Sequence, residues 1–348
     1  MRKVIYCLLA VVLFVGLLLG CAGAPTPTPA PTPAPTPAPA PTPQTKPITL
    51  KAVTYAGAAS HKTTGFALFI DLVNKRQGGV EIKFLGGPEA IPVPDQFEAV
   101  RTGVVDVIIS TPGYYEALVP EANALGLSRL TIEEERKTGY LDLITEFHKK
   151  GGVFTLGRSY THGGFYIYTK TKAPVKTPYD LSGLKLRSSP PFETFLKKLG
   201  AIGVSLGFSD VYTALERGVV DGMVWSATGL KGFGLGEVTR YRIEHGFHTA
   251  GTTVILFNLE TWNKLPKNLK DLLLDVQIKE LEPMLPNFYD AQFNDEKEKY
   301  LRPLGVEFIT FAPADAKWYV NTAYESGWED LFKRCPESAA RLRELSTP

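Results

Sequence analysis

Cysteine is nearly absent from this chain: there are three in 348 residues, at positions 7, 21 and 335. Cys7 and Cys21 lie in or beside an N-terminal apolar stretch, so Cys335 is the one thiol left to the folded part and an intrachain disulfide framework is excluded. Net charge is nearly absent too. The chain has 38 basic and 36 acidic residues, and without Arg2 and Lys3 the two signs balance. That balance argues against nucleic-acid or polybasic membrane-surface binding. HExxH, CxxC and P-loop patterns are missing, which removes the common metal and nucleotide signatures. His245 and His248 stand three apart, but Gly246 and the aromatic surroundings oppose the helix that would aim both at one metal. The Gly-rich stretch 232–237 follows no clear strand and reads as a loop. No metal and no cofactor are expected.

What is present begins with a targeting segment. In residues 1–20, Arg2 and Lys3 precede an uncharged apolar run, the pattern of a secretory signal. Leu18-Leu19-Gly20-Cys21 matches a bacterial lipobox, so Cys21 is expected to carry lipid. The run is shorter than the roughly 20 apolar residues a spanning helix needs. From Pro25 to Pro43 proline holds every odd position, alternating with Thr or Ala. Proline fixes φ and removes the amide donor, so residues 21–47 read as a lipidated cysteine followed by an extended polyproline spacer. At about 3.1 Å per residue it spans on the order of 60 Å. The rest of the chain is expected outside the cytoplasm, lipid-anchored to a membrane.

The roughly 300 residues that follow exceed what one core usually serves, so two domains are expected. Residues 48–53 alternate as a strand, and Phe66, Phe69, Ile70 and Val73 form a helical stripe that Gln77-Gly78-Gly79 ends. Val80, Ile82 and Phe84 then alternate as a second strand, parallel to the first. A helix over 97–102 with Gly103 as its C-cap leads into a buried strand at 104–110. The same grammar returns later: AVRTGVVDVIIS (99–110) aligns without gaps on ALERGVVDGMVW (214–225). Two domains of similar construction would each deliver a strand end to a shared opening, where ligands of open α/β sheets bind. Residues 110–115 and 225–228 are the candidate walls. The strand at 252–257 is expected to return the chain to the first domain. Residues 268–300 read as helix through Pro283 and Pro286, either one kinked helix or two.

DLSGLKLRSS (180–189), LGAIGVSLGFSDVYTALERGVVDG (199–222), FEAVRTGVVDVIIS (97–110) and YYEALVP (114–120) resemble the solute-binding subunits of TRAP transporters, the DctP-like family. The motifs follow one another in the family's order along most of the chain. The resemblance implies an α/β, two-domain periplasmic-binding-protein-like clamp with a long bridging helix. Domain I would comprise 48–164 and 251–289, and domain II 165–250 and 290–348. It also implies no enzyme activity, a small organic acid as ligand, and TRAP membrane subunits, one small and one large, as partners. In the family the GLKLR arginine pairs with the ligand carboxylate, here Arg187. A guanidinium offers two parallel donors to two carboxylate oxygens and stays charged when desolvated. Phe208 and Trp225 would supply apolar walls, and Tyr55, Tyr114, Tyr160, Tyr166 and His162 further contacts.

Two departures bear on the ligand. Many relatives carry a second arginine about 20 residues earlier, where this chain has Tyr166 and Ile167. A subset carries an acidic metal ligand where this chain has Val224. One arginine in an aromatic, partly hydroxylated surround suits a monocarboxylate. A binding lipoprotein of another transporter or sensor, or a periplasmic hydrolase, are the alternative readings.

Overall fold

The computed structural model describes residues 47–347 apart from 58, 59, 61, 161, 162, 250 and 251. The signal, Cys21, the spacer up to residue 46 and His162 lie outside the described residues. In chain order the first sheet takes β1 (Ile48–Thr54), β2 (Val80–Gly86), β3 (Val107–Ser110) and β4 (Val153–Arg158). The second takes β5 (Gly164–Thr169), β6 (Lys185–Ser188), β7 (Ile202–Ser205), β8 (Gly222–Ser226), β9 (Tyr241–Ile243) and β10 (Phe247–Thr249). Then β11 (Val254–Asn258) returns to the first sheet and β12 (Glu307–Ile309) joins the edge of the second.

The two sheets share one plan. Their strand orders are β2-β1-β3-β11-β4 and β7-β6-β8-β5-β9, the second continuing to β12. In each, the first three strands run parallel and the last two pair antiparallel. The repeated sequence is the seed of this likeness. Gly103 and Gly218 both sit at positive φ, 79° and 72°, where a glycine ends a helix without a Cβ penalty. Asp106 and Asp221, aligned in the repeat, then do the same work. Asp106 Oδ2 accepts from the Lys51 amide on β1 at 2.8 Å, and Asp221 Oδ2 accepts from the Lys185 amide on β6 at 2.8 Å. Each aspartate thus pins a buried strand in register with its parallel neighbour, and β3 and β8 begin at equivalent places, Val107 and Gly222. The expected strand over 104–110 begins three residues later, because 104–106 are spent on this turn.

The proline-containing segment is one helix over 267–301, widened to π turns at Val276–Leu281 and Glu296–Leu301. The first π turn lies directly before Pro283 and Pro286, where missing amides break the i→i−4 ladder. Leu269, Leu273, Val276, Leu281, Leu285 and Tyr289 pack under the first sheet, whereas Phe293 and Leu301 pack under the second. This helix therefore ties the two halves together.

A second tie comes from the C-terminus. Along the helix Pro313–Arg334, Tyr319 and Ala323 join the second half's core, but Trp328 and Leu331 join the first half's. Ala339 and Leu342 of the helix Pro336–Leu345 follow them into the first half. The sequence division places all of 290–348 in domain II; the packing splits that segment. No helix among the described residues is long and apolar enough to cross a membrane.

Candidate functional site

The strand ends after β3 and β8 open onto a cleft of about 330 Å³. Arg187 reaches it from β6, where parallel pairing with Val204 and Met223 fixes its backbone. The side chain is buried to 7% exposure, yet no carboxylate among the described residues pairs with it. Two carbonyls hold it instead. Nε and Nη2 donate to the Leu206 oxygen at 3.2 and 3.1 Å, and Nη1 donates to the Val224 oxygen at 3.4 Å. A guanidinium has five N–H groups. These contacts leave one on each terminal nitrogen, the pair that matches a carboxylate end-on. The rings of Phe208 and Trp225 flank the cation at 4.9 and 5.2 Å from Cζ, and stand edge to face with each other at 5.3 Å. Burial pulls the Arg187 pKa down from its ordinary value, though guanidinium remains charged.

Hydroxyls complete the walls. Tyr55 and Tyr114 pack at 5.5 Å, and Tyr55 Oη shares a hydrogen bond with Thr253 Oγ1 at 3.1 Å. Tyr160 Oη meets Thr228 Oγ1 at 3.0 Å, linking the chain crossing after β4 to the loop after β8. Burial pushes the Tyr160 phenol up to about 12, so it stays protonated. Of the residues expected from sequence, Arg187, Trp225, Phe208, Tyr114, Tyr55 and Tyr160 all line the cleft.

Tyr166 does not, and this is a correction. Successive residues of a strand face opposite sides, and on β5 it is Phe165 that lines the cleft. Tyr166 faces the other way, stacked on the buried Arg242 guanidinium at 4.4 Å and beside Phe293. His245 and His248 also separate: His245 Nε2 accepts from the Phe311 amide, while His248 Nε2 lies 2.7 Å from the Ala323 oxygen.

Lys62 is the residue sequence reasoning missed. It follows a loop of small residues, and nothing in a lone lysine after such a loop marks it as functional. Its Nζ lies 5.2 Å from the Phe208 ring centroid and lines the same cleft. Desolvation, with the Arg187 charge second, lowers its pKa from 10.5 to about 8. The acids of the cleft are engaged elsewhere: Glu116 with Arg334 at 3.3 Å and with Asn123, Asp330 with Thr194 at 2.7 Å.

Leu206 belongs to the pentapeptide Gly203-Val204-Ser205-Leu206-Gly207, which has the GxSxG spacing of a hydrolase nucleophile elbow. Its setting differs from an elbow. Ser205 ends the edge strand β7, lies exposed, and bonds to no histidine among the described residues.

Two α/β halves of matching topology, tied by a long helix and enclosing a cleft with unneutralised cations, define a binding protein for small anionic solutes. Residues 52–334 match the model of the family described as bacterial extracellular solute-binding protein, family 7 (DctP), and the chain belongs to that family. It is 25% identical over 288 residues to a solute-binding protein of Albidiferax ferrireducens, covering 79% of this chain and 82% of the relative. It is also 25% identical to the C4-dicarboxylate-binding periplasmic protein DctP of Rhodobacter capsulatus, covering 65% and 69%. A TRAP periplasmic solute-binding protein of Desulfovibrio salexigens with bound orotic acid superposes with a TM-score of 0.73 at 20% identity, covering 86% and 97%. The protein is thus an extracytoplasmic solute-binding protein of the TRAP type.

Proposed function

We propose that this protein anchors its organic acid by a carboxylate on Arg187 and holds the body of the ligand between Phe208, Trp225 and Tyr114. The observation that carries this reading is a buried guanidinium, steadied by two backbone carbonyls, with one N–H on each terminal nitrogen left over and no protein acid to take them. A structural arginine at this depth would be paired, because an uncompensated buried charge is costly. A monocarboxylate is the expectation for a cleft with one cation; with Lys62 beside Arg187, one carboxylate leaves a charge unanswered.

Lipid on Cys21 would tether the protein, and the proline spacer would hold the clamp away from the bilayer. Replacing Cys21 with Ser should move the protein from the membrane fraction to the soluble fraction, and its recovery with membranes at the wild-type level would count against lipidation.

Protein purified from its native host, unfolded to release what it holds and analysed by mass spectrometry, should yield an intact organic acid in near-stoichiometric amount. A neutral solute released in place of an acid would contradict the reading.

A further inference from the structure

The Gly-rich stretch 232–237 carries the outer ring of the cleft's aromatic wall. Phe233 ends the turn Lys231–Phe233 and is 45% exposed, yet its centroid lies 5.4 Å from Trp225 and 6.2 Å from Phe208, the two rings that flank Arg187. Glycines at 229, 232, 234 and 236 make this backbone expensive to fix in one conformation. The hold comes from the second π turn of the long helix. There Asp295 and Glu298 reach the cations one turn on, Lys299 and Arg302, at 2.7 and 2.8 Å. Glu296 crosses to the loop instead. The Lys231 amide donates to its Oε1 at 2.6 Å, and the amides of Gly229 and Leu230 turn to the same carboxylate. Three consecutive amides around one anion form a nest. Burial pushes the Glu296 carboxyl up from its ordinary range, and these amides pull the other way. One turn further along the same helix face, the Tyr300 hydroxyl accepts from the Gly236 amide at 3.3 Å. Glu296 and Tyr300 thus hold the two ends of the segment, with Phe233 between them.

We propose that Glu296 is a positioning residue of the binding cleft: by filling the nest at 229–231, its carboxylate seats Phe233 against Trp225 and Phe208 and fixes Thr228 for its hydrogen bond to Tyr160. The inference rests on the Arg187-centred cleft as the binding site and adds the group that holds its wall. Thr228 immediately precedes the nest, and its Oγ1 meets Tyr160 Oη at 3.0 Å, so one carboxylate outside the cleft orders contacts on two sides of it. A wall ordered before the solute arrives spares the cost of ordering it on binding. The helix that ties the two halves then also sets the surface that the solute meets.

The test is Glu296→Ala, read in two ways. Hydrogen exchange followed by mass spectrometry on protein freed of its acid by unfolding and refolding should show residues 226–236 exchanging about tenfold faster than in wild type, with the other strands of the second sheet unchanged. Calorimetric titration with the acid that mass spectrometry identifies in the wild-type protein should show about tenfold weaker binding, while the Tm falls by less than about 3 °C. Sodium formate, a carboxylate small enough for the vacated nest, should restore both the protection and the affinity, measured against wild type in the same formate; sodium chloride at equal ionic strength should not. Glu296→Gln keeps the size but turns an NH2 towards the amide donors, so it should show the same changes to a smaller degree. Arg187→Ala should lose affinity and leave exchange at 226–236 as in wild type. Wild-type exchange in Glu296→Ala, affinity within about twofold of wild type, loosening spread over the whole fold, or a loss that formate does not reverse would each overturn the assignment. If instead Arg187→Ala keeps its affinity, the anchor reading fails, and the exchange at 226–236 still decides the role of Glu296.

Discussion

Removing the charge at Lys62 should make the ligand-free protein more stable. The folded state lowers the Lys62 pKa from 10.5 to about 8, desolvation first and the Arg187 charge second. A lowered base pKa means that the folded protein holds this proton less tightly than the unfolded chain. Between pH 8 and 10.5 the unfolded chain therefore binds more protons, and the contribution of this group to stability rises with pH across that window. Below pH 8 the full cost of keeping the ammonium charged is present. At 1.36 kcal/mol per pKa unit the ceiling is about 3 kcal/mol, and solvent access at a half-buried side chain reduces it to about 1–2 kcal/mol. Methionine keeps the apolar stem and drops the charge. Lys62→Met should raise the Tm of ligand-free protein at pH 7 by about 2–6 °C, and the advantage should shrink towards zero at pH 10. Arg187, Tyr114, Glu116, Asp330 and Arg334 line the same cleft, but they are common to both proteins and cancel in the difference. Thermal unfolding followed by circular dichroism, after ligand removal by unfolding and refolding, provides the comparison. A variant less stable than wild type at pH 7, or a gain unchanged at pH 10, would refute the reasoning.

Other perturbations separate site from scaffold. Arg158 forms a bidentate pair with Glu135 (2.5 and 2.8 Å), both almost fully buried, where the chain leaves the first sheet. Arg158→Met alone should cost about 3–5 kcal/mol in denaturant unfolding, and adding Glu135→Leu should recover most of it, because the buried lone carboxylate is what hurts. Phe208 is 39% exposed at the mouth, so Phe208→Ala should change stability by less than about 1 kcal/mol while weakening ligand binding about tenfold. Affinity should be indifferent to EDTA, since Val224 offers no acidic side chain and its carbonyl already accepts from Arg187; a loss that calcium or zinc restores would show a cation in the site.

The legible parts of this fold were those written in side chains. The glycine–aspartate repeat read as two like units, and the aspartates proved to pin equivalent strands through equivalent amides. The return strand β11 and the long helix were legible from β-branched run and helical stripe. The groups that aim Arg187 were not, because they are the carbonyls of Leu206 and Val224, and a backbone oxygen leaves no mark in a sequence. The aromatic run of β5 does not say which alternate face turns inward, and β5 turns Phe165 rather than Tyr166 to the cleft. Trp328 and Leu331 fall in domain II in the division the resemblance implies, yet a helix of 22 residues is long enough to leave one core and enter the other.

The most direct test of the account is calorimetric titration of Arg187→Ala with the acid recovered from the purified protein. Closure of the clamp would strip water from both charges, and truncating one partner of such a pair costs roughly 2–5 kcal/mol, so affinity should fall about 30- to several-thousand-fold with the fold intact. Arg187→Lys should recover only part of that loss, because an ammonium cannot match both oxygens. A folded Arg187→Ala protein that binds the same acid within about threefold of wild type would contradict the central claim.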